Sequence, residues 1–206
     1  MTFSLGGTMA KTLLEMMDEM LANGIDPATR EEELWEQFGQ KYAVAAIDSS
    51  GFTRTTNEYG IIHTLTRLTQ KRSIMIPILK KYGSEIFVTE ADSFIALFPK
   101  VENAIDAMLE SVRTIRDRKL MLTPTRPYKI CAGIGYGTLL VTGAHGEFFG
   151  KEMNLASKLG EDLADGDELF LTEAAYEQIP DERKKWFSRK VETVSGNDIV
   201  HYAMIM

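Results

Sequence analysis

The sequence predicts an α+β fold, a mainly antiparallel sheet flanked by helices, with a helical extension at the N-terminus. Short apolar runs bounded by turn residues recur from residue 42 to the C-terminus. Two long stretches with apolar residues at helical spacing lie between them, and two pairs of runs sit close enough to form hairpins. At 206 residues and 44% hydrophobic content, the chain can bury a core of its own without a staple.

Met9, Leu13, Met16, Met17, Met20 and Leu21 fall at helical spacing, with Gly24 placed to end that helix. Asp26 and Pro27 give a cap followed by proline at the first helical position, and the helix carrying Leu34, Trp35 and Phe38 should stop at Gly39. Residues 1–40 therefore read as an extension whose Met-rich face packs, binds a partner or braces a dimer. Residues 41–206 read as one domain. Ala43 to Ile47 form a buried strand leading to Asp48, and a long helix follows across Ile61, Leu65, Leu68, Ile74 and Leu79, kinked at Pro77. Glu85 to Thr89 and Ser93 to Phe98 make a hairpin with Asp92 at its turn. Val101 to Ile115 form a second long helix, and Lys119 to Pro127 a basic loop. Lys129 to Ile134 and Thr138 to Val141 read as two strands separated by Gly135, Tyr136 and Gly137. A helix over Asn154 to Leu163, a strand at Glu168 to Thr172, a short helix at Ala174 to Ile179 and a closing hairpin from Lys190 to Met206 complete the domain.

A net charge of −7 argues against a protein that coats nucleic acid, while leaving room for one or two cations in a cleft. No apolar run approaches the length that spans a bilayer, so no membrane anchor is expected. The single cysteine, Cys131, lies in an apolar run and reads as buried filler in a cytoplasmic protein. His63, His145 and His201 form no recognisable set with a nucleophile and read as ordinary residues.

Asp48 and Asp92 each stand at a predicted strand edge, and they converge if their strands are neighbours. Two carboxylates suit a hard divalent ion, although aspartates in such places are also common turn residues. Asn154 and Lys158 lie about one helical turn apart, either on a solvated face or facing a ligand.

Three segments change the weight of these readings. Asp48, Gly51, Phe52 and Thr53 stand after a strand, Val88-Thr89-Glu90-Ala91-Asp92 ends at a hairpin turn, and Gly150, Asn154, Ala156 and Lys158 open a later helix. Gly133 to Gly137 supply the glycine-containing strand pair before that helix. In this order they resemble the class III nucleotidyl cyclase catalytic domain, a ferredoxin-like palm, over residues 42 to 204. That resemblance implies attack of a ribose 3′-hydroxyl on the α-phosphate of a nucleoside triphosphate, giving a 3′,5′-cyclic monophosphate and pyrophosphate. It implies two Mg²⁺ or Mn²⁺ ions on Asp48 and Asp92, and phosphate contacts from Ser49, Ser50, Gly51, Phe52 and Thr53. Asn154 would orient the ribose and Lys158 would face the α-phosphate, with lysine standing where the family has arginine. The base-reading positions fall on Val88 and Glu147, which match neither the usual adenine pair nor the guanine pair. ATP is the substrate expected from the family at large. A pyrimidine cyclase of the anti-phage kind, making cUMP or cCMP, and a silent nucleotide-binding homologue are the alternatives. The phosphate-contacting basic residue of the last hairpin is replaced near Val194, with Arg54 or Lys151 as substitutes. A head-to-tail homodimer sharing its sites between chains is implied as well.

Overall fold

The computed structural model describes residues 11–84, 87–142, 147–194 and 196–206. Its sheet runs in the order β2 (Phe87–Glu90), β3 (Ser93–Phe98), β1 (Gly39–Ser49), β4 (Ile130–Val141), β6 (Glu168–Thr172), β8 (Asn197–Ile205), β7 (Ser188–Val194), and the short β5 (Phe148–Phe149) pairs with β4. Among the described residues only β4 and β6 pair in parallel. The mainly antiparallel α+β architecture expected from the sequence is the one observed.

Strand β1 is buried on both faces, which is why its sequence is a continuous apolar run and not an alternation. Ala43, Ala45 and Ile47 join the larger core with Met75 and Leu79 of α4 (Ile61–Lys81) and Ile105 and Met108 of α5 (Val101–Asp117). Val44 and Ala46 face the other way, toward Leu97, Leu139, Phe148 and Ala156 of α6 (Lys151–Ser157). Val88 and Ile95 pack at the rim of this second cluster and remain partly exposed. By the same alternation Ser49 belongs with the α4 side and Asp48 with the α6 side.

In the N-terminal region α1 (Leu13–Ala22) begins with a capping box between Thr12 and Glu15. Met9 lies outside the described residues. Pro27–Arg30 is a 3₁₀ turn capped by Asp26, and α2 (Glu31–Phe38) ends at Gly39. Leu13, Met20 and Leu34 form a small cluster of their own, with Met16, Met17, Phe38 and Leu140 against it.

Some features around the site differ from the sequence reading. Phe52–Tyr59 is a separate helix, α3, broken from α4 at Gly60, whose φ of 82° interrupts the helical path. Pro77 sits inside α4, within the single long helix expected there. Gly135 and Gly137 do not form a turn: β4 is one unbroken strand, because pairing with all of β1 holds it extended. Glu152 of α6 lies directly over those two glycines, where a Cβ on Gly135 would meet its carbonyl oxygen at 2.5 Å. The helix predicted from Asn154 starts at Lys151 and changes from α to π winding over Lys158–Leu163. Cys131 is buried as expected.

Candidate active site

The register of β1 against β3 sets Ile47 opposite Phe94, so the next residues outward, Asp48 and Ser93, are adjacent, with Asp92 in the β2–β3 turn beside them. Ser93 Oγ donates to Asp48 Oδ1 at 3.2 Å. The pKa of Asp92 is raised to about 6, first by burial and then by the Asp48 charge. Two carboxylates held together at the edge of solvent fit a hard divalent cation, which would remove that repulsion. Among the described residues no third His, Cys, Asp or Glu completes a cluster. Water and phosphate oxygens are the natural remaining ligands for an ion such as Mg²⁺.

Beneath the pair lies a network that comes from the opposite face of the sheet. Lys71 of α4 is wholly buried; its Nζ donates to Ser49 Oγ at 2.7 Å and to the Asp92 carbonyl oxygen, and lies 4.9 Å from the centre of the Phe94 ring. The Tyr128 hydroxyl hydrogen-bonds Ser49 Oγ at 2.9 Å. Burial pulls the Lys71 pKa down to about 8 against the opposing attraction of Asp92 and Asp48, and burial also pushes the Tyr128 hydroxyl up. Sequence reasoning passed over Lys71. The available signal was a cation on the stripe formed by Leu68, Ile74, Met75 and Ile78, a place where lysine is seldom found unless paired.

The segment from Ser49 to Thr53 divides by role. The Ser49 hydroxyl belongs to the buried network, and the Ser50 amide donates to the Lys129 carbonyl at 3.2 Å. Gly51, with φ of 85°, turns the chain into α3, so the amides of Phe52 and Thr53 stand in the first turn of a helix that has no side-chain cap. Arg54 is exposed and paired with Glu58.

Asn154 and Lys158 are carried by α6 and the start of the π turn. Lys158 Nζ lies 3.2 Å from Asp162 Oδ2 and lines a 730 Å³ groove with Lys151, Glu152, Leu155, Thr172 and Asp198. Asp48 and Asp92 do not line that groove. The π turn lies backbone-to-backbone on the sheet, where a Cβ on Gly160 would meet the Ala46 carbonyl oxygen at 2.3 Å and the Gly133 nitrogen at 2.6 Å. This contact brings Glu161 over the sheet toward the aspartates.

Val88 lines a separate 320 Å³ pocket with Ala91, Ser93, Ile95 and Glu161. Glu147 does not line it; Glu147 is exposed, and its carbonyl accepts from the Thr142 amide at 3.1 Å. The acidic group facing Val88 is therefore Glu161, whose pKa is raised by burial and then by the Asp48 charge. No motif pointed to Glu161, because its position depends on the π winding. His63 Nε2 is 2.9 Å from the Leu122 carbonyl and His201 is buried between strands, away from the aspartates; His145 lies outside the described residues. No helix among the described residues is long and apolar enough to cross a membrane.

No protein-family model matches the sequence, and no curated protein is similar to it. Solved structures are similar in fold. An adenylate/guanylate cyclase/hydrolase from Silicibacter pomeroyi superposes with a TM-score of 0.70 at 19% identity, covering 82% of this chain and 98% of that one. The adenylyl cyclase CyaB from P. aeruginosa gives 0.60 at 18% identity over 82% of this chain and 96% of that one. A non-canonical dimeric guanylyl cyclase domain of the RhoGC fusion protein from Blastocladiella emersonii gives 0.63 at 16% identity over 80% and 96%. The chain has the class III nucleotidyl cyclase fold.

Proposed function

We propose that this protein is a nucleotide cyclase that converts a nucleoside triphosphate to its 3′,5′-cyclic monophosphate and pyrophosphate. The observation that carries the reading is the pairing of Asp48 with Asp92 at the strand edge, in a cyclase fold. The ribose 3′-oxygen forms a bond to the α-phosphorus, the bond from that phosphorus to the β-phosphate bridging oxygen breaks, pyrophosphate leaves, and the 3′-hydroxyl proton passes to solvent. Asp48 and Asp92 would hold divalent cations, whose Lewis acidity would favour the 3′-oxyanion and the leaving pyrophosphate. The first-turn amides of Phe52 and Thr53 receive phosphate oxygens, Asn154 orients the ribose, and Lys158 offsets charge developing on the α-phosphate.

Lys158 lines a groove that the aspartates do not share, which supports a site assembled from two chains. In the homodimer we propose, Asp48 and Asp92 of one chain act with Asn154 and Lys158 of the other. The structures of this fold carry both adenylyl and guanylyl cyclase names, so fold alone does not choose the base. ATP is the first substrate to try. Val88 cannot donate to an adenine nitrogen, so the pyrimidine nucleotides are to be tried beside ATP. Incubation of the purified protein with Mg²⁺ or Mn²⁺ and each of ATP, GTP, CTP and UTP tests the reading. A cyclic product from one nucleotide, absent with Asp92→Ala, is expected. No product from any of them, by a folded dimer that still binds nucleotide, replaces the cyclase with a silent homologue.

A further inference from the structure

The turn that carries Asp92 is built unusually. Ala91 has φ of 46°, in the left-handed region that residues with a Cβ seldom occupy and that costs alanine free energy. Two consecutive cations of α4 hold its two carbonyls: Arg72 Nη2 donates to the Ala91 oxygen at 2.7 Å, and Lys71 Nζ donates to the Asp92 oxygen. The three protons of the Lys71 ammonium have three acceptors within the protein, namely Ser49 Oγ, the Asp92 carbonyl and the face of Phe94. None is left for a substrate. Lys71 therefore does not touch the reaction, yet it takes a place among Leu68, Ile74 and Met75 that an apolar residue would fill at no desolvation cost.

We propose that Lys71 and Arg72 form a clamp that holds the turn in which Ala91 is left-handed, and so sets the Asp92 carboxylate beside Asp48 for cation binding. Both are positioning residues. A glycine at position 91 would take this backbone conformation without help, and the clamp does in this chain what glycine would do. The inference rests on the proposal that Asp48 and Asp92 hold the cation.

The test is Mn²⁺ binding followed by electron paramagnetic resonance, without nucleotide, on the intact protein. Wild type should bind Mn²⁺ saturably, and Asp92→Ala should not. Arg72→Gln should weaken binding about tenfold, the lower end of what a strained left-handed residue is worth, and Arg72→Gln/Ala91→Gly should recover most of that loss. Lys71→Met also removes a positive charge that repels Mn²⁺; weaker binding despite this is the expected result, and tighter binding overturns its share in the clamp. Wild type that binds no Mn²⁺ overturns the cation site and the clamp with it. Wild-type binding that Arg72→Gln leaves unchanged, or a loss that Ala91→Gly fails to repair, overturns the clamp alone.

Discussion

Replacing Lys71 with methionine swaps a buried ammonium for an apolar chain of similar length, and the structure fixes how the effect should change with pH. Burial lowers the Lys71 pKa in the folded protein from its ordinary 10.5 to about 8. Below pH 8 the group is charged in both the folded and unfolded chain, and the folded state bears the full desolvation cost. Between pH 8 and 10.5 the folded protein releases the proton while the unfolded chain keeps it. The unfolded state then binds more protons, and stability rises with pH. Methionine does not titrate, so wild type should gain on Lys71→Met by about 1.4 kcal/mol per pH unit within that window, or about 2 kcal/mol between pH 7 and 9.5. Groups that titrate alike in both proteins cancel in the difference. Urea denaturation of both proteins in EDTA, at half-unit steps from pH 7 to 9.5, measures it. A difference that stays flat would refute the reasoning, since Lys71 would then keep its proton as readily in the fold as in water.

Other expectations follow from contacts described above. In Gly160→Ala the new Cβ would meet backbone atoms at 2.3 and 2.6 Å, which cannot turn aside as a side chain does; a loss of about 1–3 kcal/mol in urea denaturation is expected. Lys158→Arg restores a planar fork where lysine offers a point charge, and should raise kcat about threefold to tenfold with KM little changed in steady-state assays. The Cys131 thiol donates to the Gly160 carbonyl at 3.3 Å and is pushed up to about 12, first by burial. It should resist a disulfide reagent at pH 8 in the folded protein and react promptly in urea.

The succession of elements along the domain was legible because burial and turn chemistry are local signals. The run Ala43 to Ile47, the hairpin around Asp92 and the strand Glu168 to Thr172 each stand between turn residues, and each appears where expected. Gly135 and Gly137 misled because glycine marks both turns and close approaches. Here a helix pressed against a strand, a tertiary fact, decides between them. Lys71 and Arg72 were hidden for a similar reason: a helical stripe records which side chains face inward, not which carbonyl lies at the end of a long one. Glu161 depended on a π turn that no spacing rule anticipates. Asp48 and Asp92 were readable because both lie at strand ends, where register carries a side chain to a predictable neighbour.

A cation-dependent cyclase whose site is completed by a second chain can be tested by mixing two inactive variants. Asp48→Ala and Asn154→Ala should each be inactive alone. Random pairing in an equal mixture makes half the dimers mixed, each with one intact site of two, so cyclic nucleotide formation should return to about a quarter of the wild-type rate. No activity in a mixture whose mixed dimers have been verified by mass spectrometry would contradict the account.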